Sequence, residues 1–197
     1  AQYIAARCQG EAPDCFDTAA ASALKEMSEL ANSCTAETGN VRTLWKQASA
    51  AMSRCGAAIR DEEQIREYCK VVQTQLKNFH TIVRVSNRGE LAMAYRLRDM
   101  LLSQQAYLTA MVDYRAHGGK SRGSALYTDR KNGTKPFAHL PDTFTFALDK
   151  NEQPLIQELR YENGICKTDW REPRPIPEDD DFFENVWRSY RETGNIQ

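Results

Sequence analysis

The sequence lacks most of the features by which an enzyme or a membrane protein shows itself in primary structure. Its formal net charge is -1 over 197 residues, so no overall field favours nucleic acid or an anionic lipid surface. Its apolar stretches are too short and too polar to insert directly into a membrane, and no charged-then-apolar signal segment opens it. Zinc and iron–sulfur centres need thiolates at short spacing, and the six cysteines (Cys8, Cys15, Cys34, Cys55, Cys69 and Cys166) include no C-x-x-C. They are expected to be reduced, cytosolic thiols, with disulfides in an exported helical protein as the second reading. His80, His117 and His139 stand too far apart for a metal triad. There is no G-x-G-x-x-G, P-loop, G-x-S-x-G or H-E-x-x-H, and no nucleophile with a base in view. Internal repeats and low-complexity tracts are also missing. The sequence by itself therefore assigns no catalytic, cofactor-binding or metal-ligating residue. It opens without Met, from which an upstream segment is expected.

What is present is helical patterning. Leu91, Ala94, Leu97, Leu101, Gln104, Leu108 and Met111 recur at steps of three and four, which predicts one long helix opening at Glu90. His117-Gly118-Gly119 ends it, because glycine takes the left-handed backbone of a helix C-cap. Upstream, the pattern predicts helices over 19–32, 41–60 and 61–85. The first turns Leu24, Met27 and Leu30 or Ala31 inward. The second carries Leu44, Ala48, Ala51, Met52, Cys55 and Ile59 as its stripe. The third carries Ile65, Tyr68, Cys69, Val72, Leu76, Phe79 and Val83, with Asp61, Glu62 and Glu63 at its dipole-positive start. Ala1–Arg7 reads as a helix remnant without a start signal. Long amphipathic helices with short links make an antiparallel bundle of three to four helices the expected, mainly α architecture.

After Asp129 the pattern changes. The turn-rich run 131–136 precedes two short, partly alternating segments, Phe144–Leu148 and Leu155–Tyr161, expected to form a small β-hairpin turning at 149–152. Pro173, Pro175 and Pro177 predict an extended, Pro-rich C-terminal tail. Beyond it, Phe182, Phe183, Val186, Trp187 and Tyr190 could share one helix face. Glu178, Asp179, Asp180 and Asp181 read as a solvated helix start, with a carboxylate metal site as the weaker reading.

The long helix delivers a compact basic turn, Lys120-Ser121-Arg122-Gly123-Ser124. Ser121, Arg122 and Gly123 are the candidate interdomain or partner-contact residues. Arg122 either pins an anion or partner surface, with Gly123 giving close access, or pairs inside the domain.

The order of these elements resembles the C-terminal helical domain of the succinate dehydrogenase, fumarate reductase and L-aspartate oxidase flavoproteins. The residues that carry the resemblance are Gly56 and Arg60 closing one helix, Leu97-Arg98-Asp99-Met100-Leu101 in the long helix, Ser121-Arg122-Gly123 after it, and Asp129. Lys120, Ala125 and Tyr127 depart from the family's usual acid, histidine and basic residue. The resemblance implies a parent FAD enzyme that moves a hydride between flavin and a dicarboxylate-like substrate. On that reading, residues 1–12 are the remnant of the last helix of a preceding FAD-binding domain. Residues 13–130 are the helical bundle domain, and 131–197 are a hairpin and tail packed on it. No cofactor is expected here, FAD being held by the parent's preceding domain. The expected partners are that domain and an iron–sulfur electron-transfer subunit, at a cytoplasmic site that partner subunits could bring to the inner face of the membrane. The other reading is a stand-alone helical interaction module without catalysis.

Overall fold

A computed structural model gives the fold and describes residues 15–34, 36–149, 155–173 and 181–194. The expected helix remnant 1–7, the boundary at residue 12, the tail prolines Pro175 and Pro177, and Glu178–Asp180 lie outside the described residues. The chain is mainly helical with a small antiparallel hairpin. It divides into two compact units, residues 1–149 with 159–168, and 150–158 with 169–197.

In the first unit, α1 (Cys15–Ser33) is followed by α2 (Val41–Cys55), β1 (Ile59–Arg60) and α3 (Glu62–Lys77). Then come the single turn α4 (Phe79–Ile82), the long α5 (Arg88–Ala116) and β2 (Leu126–Tyr127). Capping explains the helix starts. Asn40 accepts the Arg42 and Thr43 amides, Asp61 those of Glu63 and Gln64, and Asn87 that of Glu90. The core joins the stripes of α2, α3 and α5: Ala48 and Cys55, Ile65, Tyr68, Cys69 and Val72, and Ala94, Leu97, Leu101 and Leu108.

Several boundaries differ from the periodicity. The α2 helix stops at Cys55, because Gly56 takes its last carbonyl, from Met52, and Asp61 caps the next helix. The freed Ile59–Arg60 becomes a strand paired in parallel with Leu126–Tyr127. The α3 helix ends at Lys77. Asn78 closes it, its backbone N–H donating to the Thr74 carbonyl, and Val83 is already extended. Extended backbone there lets Arg84 and Val85 donate to the Gly39 and Cys34 carbonyls. Leu24 and Met27, expected inward, are exposed; Leu30 near the end of α1, and Cys34 just beyond it, are buried.

The hairpin is also not where alternation placed it. It is β3 (Ile156–Glu162) with β4 (Ile165–Arg171), turning at Asn163-Gly164. Both turn residues have positive φ, 52° and 82°, as a type I′ turn requires and as Asn-Gly favours. Phe144–Leu148 instead bridges to Ser121, Thr128 and Thr134. In the second unit, the described part consists of the hairpin's base and α6 (Phe182–Thr193), whose Phe183 and Trp187 are exposed.

Candidate functional site

The basic turn after α5 is built by the helix end itself. His117 and Gly118 return their amides to Asp113 and Arg115, and Gly118 enters the left-handed region at φ 79°. Gly119 then passes flat against Tyr114, where a Cβ would meet the ring at 2.5 Å. That close approach places the Lys120 carbonyl 2.7 Å from the Tyr114 hydroxyl, which also lies 3.1 Å from Asp149 Oδ2. Burial, and next the bond to the Asp149 carboxylate, push the Tyr114 phenol above its ordinary pKa.

The three residues singled out from the sequence have three different roles here. Ser121 is buried and structural. Its Oγ accepts the Tyr127 amide at 2.8 Å and donates to the Tyr127 carbonyl at 3.1 Å, while its own backbone pairs with Ala147 and Asp149. Gly123, at φ 53°, closes a tight turn in which Arg122 and Ala125 exchange both backbone bonds. Arg122 stands exposed on that turn, its guanidinium 5.9 Å from the centre of the Tyr114 ring.

Beside it, β1 and β2 bring a second arginine from far away in sequence. The Leu126 amide donates to Ala58 and the Thr128 amide to Arg60, so Arg60 and Tyr127 are held in register. Arg60 Nη1 donates to the Tyr127 hydroxyl at 3.2 Å, and its Nε donates to the Ala57 carbonyl. The Arg60 and Arg115 guanidinium carbons lie 5.6 and 5.4 Å from the Tyr127 ring centre, which is 5.8 Å from that of Tyr114. Cations at such distances are attracted to the electron-rich ring faces. Arg115 also donates to Glu62 Oε2 at 2.9 Å and to the Gly119 carbonyl. Burial raises the Glu62 carboxyl, but bonds and charges from Arg66 and Arg115 outweigh it, and Glu62 titrates below the usual range. Asp129 titrates low as well, chiefly because the Asn132 amide donates to it.

The site is thus two tyrosines ringed by three arginines. Arg60 and Arg115 are committed to holding β1, α3 and the end of α5 together, while Arg122 is presented at the surface. Tyr114, Arg115 and Asp149 were missed in the sequence. The only cue was a basic residue in the last turn of α5, which reads equally well as dipole compensation. The histidines are dispersed: His80 Nδ1 meets Ser33 Oγ, His117 bonds the Asp113 carbonyl, and His139 stacks on Phe137. Among the described residues, no group of three or more His, Cys, Asp or Glu is gathered for a metal. No helix among the described residues is long and apolar enough to cross a membrane. No family model matches the chain, and no curated protein or solved structure matches it either.

Proposed function

We propose that this chain is the C-terminal helical domain of an FAD-dependent oxidoreductase of the succinate dehydrogenase and fumarate reductase type. In this reading its long helices form an antiparallel bundle with an extended Pro-rich tail. The bundle packs on the FAD-binding domain and supports docking of an electron-transfer partner. One observation carries the reading. The short motifs behind the resemblance, Gly56 to Arg60 and Ser121 to Gly123, lie far apart in sequence yet meet through the β1–β2 pair and Tyr127. A domain that serves as a wall for a neighbour needs such a cationic edge, with Arg122 outward, Tyr114 and Arg115 half-buried and Tyr127 buried beneath.

The arginines here are engaged by rings, a carboxylate and backbone carbonyls, so no step of hydride transfer is assigned to them. FAD and the dicarboxylate-binding residues belong to the preceding domain. Reading the open frame upstream of Ala1 tests this: a dinucleotide-binding G-x-G-x-x-G following a strand is expected. A frame that begins at or near Ala1 overturns the proposal in favour of a stand-alone interaction module. That second reading draws on α6, which exposes Phe183 and Trp187 together.

A further inference from the structure

The Asn163-Gly164 turn sets the register of the hairpin, and the two-residue period of β4 then decides which side chains it covers. Cys166, Thr168 and Trp170 are half-buried, while Ile165, Lys167 and Asp169 between them are exposed. On α3 the helical step carries Cys69 inward beside Ile65 and Val72. On α5, Thr109 follows the fully buried Leu108. These three residues, from three elements of the first unit, converge. Cys69 Sγ lies 4.0 Å from Thr109 Oγ1, and Thr109 and Cys166 line the same cleft.

The two thiols are not equivalent. Cys69 is buried, with Gln73 Nε2 at 3.7 Å from its sulfur. Cys166 lines an open cleft of about 440 Å³, with Gln73, Lys77, Gln105, Thr109 and Tyr161 around it. A small solute in the cleft reaches Cys166 first. Of the other thiols whose surroundings are described, Cys34 is sealed in the core and Cys55 contacts the Gln64 carbonyl.

We propose that Cys69 and Cys166 are a disulfide-forming pair, a modification site at which a small organic disulfide such as oxidised glutathione fastens the hairpin tip to α3. The Cys166 thiolate attacks one sulfur of the oxidant, breaking its S–S bond, forming a mixed disulfide and expelling one glutathione thiolate. The Cys69 thiolate then attacks the Cys166 sulfur and expels the second. Two protein thiols lose two protons and two electrons, and the oxidant becomes two glutathione thiols. Burial raises both thiols above the ordinary range, while the Thr109 hydroxyl favours each thiolate. The reaction is therefore slow at neutral pH and faster in mild alkali. In a reducing cytosol the bond forms under oxidant load and reverses when it passes. The proposal stands independently of the flavoprotein reading.

The test is peptide mapping by mass spectrometry of the full chain, treated with oxidised glutathione at mildly alkaline pH and then alkylated. We expect a peptide pair linked through Cys69 and Cys166, lighter by about 2 Da than the two reduced peptides and restored by dithiothreitol. The Cys69→Ser chain should stop with one glutathione on Cys166. The Thr109→Val chain should acquire that first adduct more slowly. If the wild-type chain halts at the mixed disulfide on Cys166, cross-links only other cysteines, or stays unmodified, the pair is overturned.

Discussion

Tyr68 shows how much one buried polar contact can decide. Its hydroxyl has a single proton to offer Gln104 Oε1 at 2.8 Å and the Ala48 carbonyl at 3.0 Å, while Gln104 Nε2 donates to the same carbonyl at 3.2 Å. The three groups close a triangle across α2, α3 and α5. Tyr68→Phe leaves Gln104 Oε1 without that donor in the core, which should destabilise the chain by about 1–3 kcal/mol in urea unfolding at unchanged slope. Burial raises the Tyr68 pKa from 10.0 to about 12. The folded state thus binds this proton more tightly than the unfolded chain. The resulting stability, roughly 2–3 kcal/mol, is complete below pH 10 and lost as pH rises through about 12. Thermal melts across that range should show a shallower alkaline decline in Tyr68→Phe than in wild type. Both residues were legible as members of helical stripes. That they face one another was not, because one helix's period carries no information about its neighbour's rotation. The contact of the Arg122 guanidinium with Tyr114 was equally illegible, since it depends on the close approach of Gly119 to that ring.

At the scale of elements, local signals were read well where a cap lies close by, at the starts of α2 and α3 and the end of α5, and less well elsewhere, as at the start of α1. Caps such as Asp61 and Asn87 act within three residues, so pattern and structure nearly agree there. The ends of α2 and α3 depend on partners distant in sequence. Ile59–Arg60 leaves the helix because Leu126–Tyr127 is there to pair with it, and parallel pairing leaves no local mark. The small hairpin was expected, but its strands were misplaced: weak alternation before residue 161 set them, and the Asn163-Gly164 dipeptide that fixes the turn was not read. Gly164 holds φ 82° with open space where a Cβ would go, so its constraint is conformational and not steric. Gly164→Val should therefore cost about 1–2 kcal/mol locally. Hydrogen exchange should report lost protection over Ile156–Arg171, with protection of Leu97–Leu108 kept.

Across the whole molecule, the mainly helical class was legible because it rests on repetition, and the repeat carries into the core. Leu101 is 2% exposed among the stripes of α2, α3 and α5. Leu101→Ala should lower stability by about 2–5 kcal/mol, as calorimetry or urea unfolding would show. Arg122→Ala should cost less, about 1 kcal/mol at most, since that side chain is exposed and its contact with the Tyr114 ring is a surface one. If Arg122 serves a neighbouring domain, its loss should be felt there instead. The most direct measurement follows. The protein is produced from its own uninterrupted reading frame and its flavin content is determined, with limited proteolysis of the wild type and of Arg122→Ala. The account predicts a longer, FAD-containing polypeptide whose C-terminal domain is released more readily by protease in the variant. A flavin-free protein beginning at or near Ala1, cut identically with and without Arg122, would contradict it.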